Sequence, residues 1–342
     1  MKPIRRLLVI RLSALGDICM TLPVIDSACR AYPNVEFTLL TSKVGAIVLN
    51  TVLHLPNLKV RSINKRDYNG IFGLNRLYAE LRSLQFDAVA DLHDVLRTKW
   101  IDFRFRMAGK RVEKIDKGRD QKKALVAHSI QRQLKGSVER YHEVFSSLGM
   151  NFEVDYDSVS HGSSLLRVGE SWEHAIGIAP FAQHEGKVYP SKLMCQVIDQ
   201  LVSRMPDLRI YLFGSRDEQV VLDRWAAAHP DQIVNLAGRQ SIDEDLHCMA
   251  RLQLMVSMDS ANMHLASLVG LRTLSIWGAT HRFAGFLGYG QSENDCIELP
   301  LSCRPCSIYG NKPCQRGDFA CMNGIQPEVV AHRIEEILQE KA

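Results

Sequence analysis

Four short segments carry side chains able to act on a phosphorylated or polyhydroxylated ligand, and each follows an apolar run. The first is Arg11-Leu12-Ser13-Ala14-Leu15-Gly16-Asp17. Gly16 lets the backbone turn tightly, and Asp17, at the start of the next helix, is placed either to cap that helix or to serve as a general base. The second, Met258-Asp259-Ser260-Ala261-Asn262-Met263-His264-Leu265-Ala266, opens a helix on small residues. The amides of Ser260, Ala261 and Asn262 suit a diphosphate there, and Asp259 suits sugar hydroxyls; an ordinary Asp or Ser cap is the alternative. His264, one turn in, reads more readily as a packing or hydrogen-bonding residue than as a catalyst. The third segment, 179–190, has Lys187 as its only cation, able to neutralise charge on a leaving diphosphate or simply to lie in solvent. In the fourth, Phe213-Gly214-Ser215-Arg216-Asp217-Glu218, the Glu218 carboxylate could accept from ribose hydroxyls or serve as an acidic first helical turn.

Cysteines are unevenly spread. Four of nine, Cys303, Cys306, Cys314 and Cys321, fall in one segment. A C-x2-C pair followed by two more cysteines suits a structural tetrathiolate zinc site, although the later spacings depart from the paired C-x2-C pattern, and thiols bracing a loop are the alternative. Cys19, Cys29, Cys195 and Cys248 fall in helical patterns as small buried hydrophobes. The D-x-D pairs Asp155/Asp157 and Asp243/Asp245 are weak candidates for a divalent ion, since the first lies in an expected linker and the second at a helix start. No G-x-G-x-x-G cradles a dinucleotide.

The elements that must position these residues alternate between strand and helix. Strand signals fall at 7–10, 35–40, 88–92, 175–179, 208–213, 233–236, 254–257 and 273–276. Helical patterns fall at 18–31, 74–84, 191–205, 218–229, 243–251 and 260–268, with a polar, less regular stretch at 155–164. The pattern predicts two doubly wound α/β domains, residues 1–160 and 161–325, and a C-terminal helix over 326–342. Their junction is expected at 155–172, with the ligand between the domains at the carboxyl ends of parallel strands.

At 342 residues the chain suits two domains of about 150 residues each. No stretch approaches the roughly 20 apolar residues of a bilayer span, and the apolar run 7–10 is too short for a secretory leader, so a cytoplasmic protein is expected. The net charge of +4 hides an asymmetry: residues 1–160 hold 26 Lys/Arg and 17 Asp/Glu (+9), leaving 16 and 21 (−5) for the rest. The excess concentrates at 97–123, a surface suited to a polyanion such as RNA, lipid headgroups or phosphorylated glycans, or to plain solvation.

Taken in order, these segments resemble glycosyltransferase family 9, the ADP-heptose:lipopolysaccharide heptosyltransferases. The resemblance spans almost the whole chain. It rests on residues 11–17 followed by Thr21-Leu22-Pro23, on Asp91-Leu92-His93, on the loop from Lys187 to Pro190, on 259–266 continuing to Trp277-Gly278-Ala279-Thr280, and on 303–322. It implies a GT-B fold, two Rossmann-like domains facing across a cleft, with an N-terminal acceptor domain and a C-terminal donor domain. It also implies inversion at the anomeric carbon, no required metal or other cofactor, and ADP-heptose or a related nucleotide sugar as donor. The implied acceptor is lipopolysaccharide core or another lipid-linked glycan, met by peripheral contact at the inner face of the cytoplasmic membrane, with no nucleic acid partner.

Residue by residue, the resemblance makes Asp17 the base and Lys187 the catalytic cation. It assigns Glu218, Asp259, Ser260, Ala261, Asn262, His264 and Gln183 to the donor, and Arg97, His93 and Arg140 to the acceptor. The sequence departs from the family pattern at Ser260-Ala261, where Thr-Gly is usual, at Asn262, around Ala182 and Gln183, and at Tyr189, where tryptophan is frequent. The alternatives of other classes are a nucleotide-sugar epimerase and a catalytically silent glycan-binding protein of the same fold.

Overall fold

The computed structural model describes residues 3–165 and 172–340. Of the expected junction, residues 166–171 lie outside the described residues. The chain forms two compact units: Met1–Lys117 with Gly136–Tyr156, and Gly118–Lys135 with Asp157–Ala342.

In the first unit, strands β1 (Arg6–Ile10), β2 (Glu36–Ser42), β3 (Leu58–Ile63), β4 (Ala88–Asp91) and β5 (Arg111–Lys114) form a sheet of order β3-β2-β1-β4-β5. Every pairing is parallel. A parallel sheet is covered by helices on both faces, so its central strands must be apolar throughout. The Leu-Leu-Val-Ile run of β1 and the Ala-Val-Ala run of β4 meet that demand, and all seven residues are fully buried. Chain order runs outward from β1 to β3 and then returns to β4, so the topological switch lies between β1 and β4. Ile10 is level with Asp91, so the chain segments after these strands leave the sheet side by side.

The second unit repeats the plan. Strands β6 (Ala175–Ala179), β7 (Arg209–Leu212), β8 (Ile233–Asn235), β9 (Leu254–Met258), β10 (Thr273–Trp277) and β11 (Cys296–Glu298) are ordered β11-β10-β9-β6-β7-β8, again all parallel. The switch falls between β6 and β9, where Ala179 is level with Ser257. The terminal helix Pro327–Gln339 packs its Val330, Ile334 and Ile337 into this unit's core.

Two of the differences from the sequence reading bear on how the chain is divided. The expected helix over 18–31 is two helices, Leu15–Cys19 and Leu22–Ala31. Thr21 ends the first by donating its hydroxyl to the Ile18 carbonyl at 2.6 Å, and Pro23 sits in the first turn of the second, where a missing N–H is harmless. The polar stretch expected to be irregular contains the helix Ser158–Ser164. Asp157 caps it by accepting from the Ser160 amide at 3.0 Å, and Gly162 lies so close to the Val269 carbonyl that a Cβ would stand 2.0 Å from it. Propensity was overridden by docking.

Candidate active site

At the first unit's switch, Arg11 follows β1 and is buried, 6% exposed. Its Nη1 donates to the Leu92 carbonyl at 2.6 Å, its Nη2 pairs with Asp17 Oδ2, and its guanidinium lies 5.6 Å from the centre of the Tyr141 ring. Asp17 is the third residue of its helix and also accepts from the Ala14 amide at 3.3 Å. The carboxylate therefore caps the helix and remains reachable, its side chain 31% exposed.

His93 follows β4, with Nε2 3.4 Å from Ser13 Oγ. Burial, reinforced by the cations of Arg11, Lys117 and Lys65, pushes its pKa down to about 3. At neutral pH it is an uncharged hydrogen-bonding group, not a cation for an anionic acceptor. Lys65 is held below its ordinary value by burial and by Arg97 and Arg11, so Arg11, Lys65, Arg97 and Lys117 form one electropositive cluster. Arg97 itself donates to the Tyr68 carbonyl at 2.7 Å and to Asn69 at 3.2 Å. Arg140 is 3% exposed and donates to the Asp116 carbonyl at 3.1 Å.

The His93 turn hangs on Asp91, which accepts from the His93 amide at 2.8 Å and the Asp94 amide at 3.1 Å. Behind it lies Asp102, 1% exposed. Burial and then the neighbouring Asp91 carboxylate raise the Asp102 pKa well above the carboxyl range, with Asp94 adding and Arg106 opposing. Burial beside a second carboxylate favours the protonated form of Asp102. The folded state thus keeps a proton that the unfolded chain releases above the ordinary carboxyl range. The stability from this proton is fully present below that range and declines as pH rises toward the raised folded value. Asp102→Asn, which keeps the side chain's shape without an ionisable proton, is expected to raise Tm by a few degrees at about pH 8 and by less at about pH 5. Thermal melts across pH check this, and a variant melting in parallel with the parent at every pH would refute the retained proton.

In the second unit, Lys187 follows β6 and Asp259 follows β9, the two switch strands. Lys187 Nζ lies 2.8 Å from Asp259 Oδ2 and donates to the Asp259 carbonyl at 3.2 Å. Thr280, beyond β10, donates to the same Oδ2 at 2.8 Å. Asp259 is 5% exposed, so its carboxylate positions Lys187 before any ligand arrives. The lysine stem is covered by Gly310, whose φ of +74° and close approach leave no room for a side chain: a Cβ would stand 2.7 Å from Lys187 Cγ.

The helix Ala261–Leu268 begins beside this pair. Its N-cap, Ser260, makes no capping bond through its side chain and instead lies 3.2 Å from Ser257 Oγ. The first-turn amides at Ala261 and Asn262, both partly exposed, have no intrahelical acceptor and point their positive dipole end outward. His264 is buried one turn in. Gln183 is exposed in the Lys187 loop. Glu218, beyond β7, turns back to accept from the Ser215 amide at 2.6 Å, so in this state its carboxylate is taken up by the turn before its helix and makes no capping bond.

Among the described residues, neither D-x-D pair joins a group of three potential metal ligands. Asp155 is bound by Arg30 Nη2 at 2.6 Å and Asp157 caps a helix, while Asp243 and Asp245 occupy the first turn of Ile242–Met249. Three of the dispersed cysteines, Cys19, Cys29 and Cys248, are buried in helices, and Cys195 is half-buried. The basic stretch is divided between the units. Residues to Lys117 stay with the first, whereas Arg119, Lys122 and Lys123 line a cavity of about 550 Å³ in the second, with Tyr309 and Lys312 opposite.

A family model for glycosyltransferase family 9 (heptosyltransferase) matches residues 74–313. The chain belongs to this family. Lipopolysaccharide heptosyltransferase 3 of Escherichia coli is 24% identical, with 78% of this chain and 81% of the relative aligned. Lipopolysaccharide heptosyltransferase 1 of Pseudomonas aeruginosa is also 24% identical, over 97% and 98%. The E. coli heptosyltransferase WaaC, solved with ADP, shares the fold with a TM-score of 0.71 at 19% identity, over 97% of this chain and 99% of that one. The two parallel-sheet units are those of a GT-B glycosyltransferase.

Arg304, which sequence reasoning overlooked, stands behind the Lys187–Asp259 pair. It is 7% exposed and donates to the carbonyls of Gly278 at 2.6 Å, Leu299 at 2.6 Å and Thr280 at 3.0 Å, while pairing with Glu298 at 2.9 Å. It thereby fixes the β10 exit whose Thr280 holds Asp259. A charged residue inside C-x2-C was the only signal, and it pointed to the cysteines.

Proposed function

We propose that this glycosyltransferase moves heptose from ADP-heptose to a hydroxyl of lipopolysaccharide core, with inversion. The observation that carries the reading is the pairing of functions at equivalent positions. A reachable carboxylate, Asp17, stands at the switch of one unit, and a lysine beside uncapped helix amides stands at the switch of the other. The names of the relatives supply the sugar, the nucleotide and the acceptor class.

In this mechanism the acceptor O–H gives its proton to the Asp17 carboxylate as its oxygen attacks the anomeric carbon. The bond from that carbon to the diphosphate breaks, and ADP leaves with the electron pair. Lys187 and the amides of Ser260, Ala261 and Asn262 take up the charge that develops, a favourable use of a helix N-terminus. Asp259 acts first as the positioner of Lys187, and rotation of the Glu218 carboxylate away from the Ser215 amide frees it for ribose hydroxyls. Arg11 orients Asp17. The electropositive cluster of Arg11, Lys65, Arg97 and Lys117 suits the phosphates and acidic sugars of an inner-core acceptor, with His93 as a neutral hydrogen-bonding partner. No helix of the described residues is long and apolar enough to cross a membrane, and the charge of +9 over residues 1–160 favours peripheral contact with an anionic cytoplasmic leaflet.

The test is donor choice followed by product. At about 100 times its dissociation constant, a cognate donor stabilises the folded state by about 2.7 kcal/mol, so ADP-heptose is expected to raise Tm by several degrees while UDP- and GDP-sugars leave it nearly unchanged. Adding core acceptor should then yield a heptosylated glycan and ADP. Isomerised donor formed without acceptor would instead identify an epimerase, and binding without turnover would identify a glycan-binding protein.

A further inference from the structure

We propose that Cys303, Cys306, Cys314 and Cys321 together bind one thiophilic metal ion, zinc in preference, as a structural tetrathiolate beside the Lys187 site. The spacing left this open, because only the first pair has the paired pattern. The fold supplies the missing half: all four cysteines line a single cavity of about 10 Å³, the volume of one water-sized occupant. All are free thiols, so none is spent on a disulfide.

Arg304, Lys312 and Arg316 line the same cavity, and their positive charges oppose the net negative charge of a divalent ion with four thiolates. At Cys314 the chain makes a tight turn, the Gly317 amide donating to the Cys314 carbonyl at 3.2 Å with Gly317 at a φ of +76°. Sulfur donors without carboxylate or imidazole select zinc or iron over magnesium or calcium.

Among the described residues, no three potential ligands already stand in metal-ligating geometry, so binding must draw the sulfurs inward. The segment from Cys303 to Phe319 has no helix or strand, and its first part is tethered through Arg304, Cys306 and Ser307, so the adjustment falls on the stretch around Cys314, whereas Cys321 is held in the helix Ala320–Asn323. The Cys306 and Ser307 amides both donate to the Ala279 carbonyl, at 3.1 and 3.2 Å, and Gly310 covers the Lys187 stem. An ion that fixed this segment would brace the β10 exit and Lys187 from behind, a structural role compatible with metal-independent chemistry.

The experiment is metal analysis of the purified full chain by plasma mass spectrometry, with thiol titration and thermal melts before and after chelation. One zinc per chain is expected, with four thiols becoming reactive only as zinc is removed and Tm falling reversibly. Cys314→Ser and Cys321→Ser, each still folded by circular dichroism, are expected to lose the metal. Stoichiometric iron would uphold the tetrathiolate and overturn its assignment to zinc. Less than about a tenth of an ion per chain, with added zinc changing neither Tm nor the thiol titration, would overturn the site itself. These readouts do not depend on turnover, so the proposal stands or falls separately from heptosyl transfer.

Discussion

Asp17→Asn is expected to lower turnover by about 10²- to 10⁴-fold, the usual contribution of a positioned general base, while leaving donor affinity within about twofold. The asparagine keeps an oxygen for Arg11 Nη2 and for the Ala14 amide, the two partners of the native carboxylate, so the turn and helix start survive. Only the ability to take a proton is lost. The residues proposed to hold the donor belong to the second unit, which is why binding of ADP-heptose, followed by calorimetry, should be spared. A loss of less than about tenfold with normal donor binding would make Asp17 a capping residue and nothing more.

Lys187→Ala is expected to cost about 10²- to 10³-fold in turnover, the scale set by removing a single preorganised group that stabilises developing negative charge. It carries a second, separable effect. Asp259 is almost completely buried and has Lys187 at 2.8 Å and Thr280 at 2.8 Å as its partners. Deleting the lysine leaves a buried carboxylate without its countercharge, a change that typically destabilises a protein by about 3–5 kcal/mol. The double variant Lys187→Ala/Asp259→Asn removes that stranded charge and should recover most of the lost Tm without recovering turnover. Restored turnover in the double variant would show that the lysine serves only to neutralise Asp259. Kinetics and melts on both single variants and the double variant complete the cycle.

The two predictions rest on information of different depth. That Asp17, Lys187, Glu218 and Asp259 lie just beyond strands follows from local sequence. Parallel strands buried on both faces must be continuous apolar runs, and the chain leaves them at polar, glycine-containing turns. The strands β6, β9 and β10 were legible for this reason, with bounds within a residue of those observed. The edge strand β3 was not, because Leu58–Ile63 has no apolar run and the consecutive polar pair Arg61-Ser62 breaks its alternation. The helix Leu96–Met107 was also missed, since its arginines mask the apolar stripe of Ile101 and Phe105.

Sequence by itself therefore determined the two α/β units, the strand exits that carry the candidate residues and, through the order of those exits, membership of family 9. Only the tertiary structure decided what those residues do to one another. It set Arg11 against Asp17, joined Lys187 to Asp259 across 72 positions, placed Thr280 and Arg304 behind that pair, buried His93 among cations so that it is neutral, and brought four unevenly spaced cysteines around one cavity. Strand exits are legible because burial imposes a local pattern on consecutive residues. Pairings of charge and sulfur leave no such pattern, because they depend on which strands become neighbours and in what register, and that is settled only when the whole sheet closes.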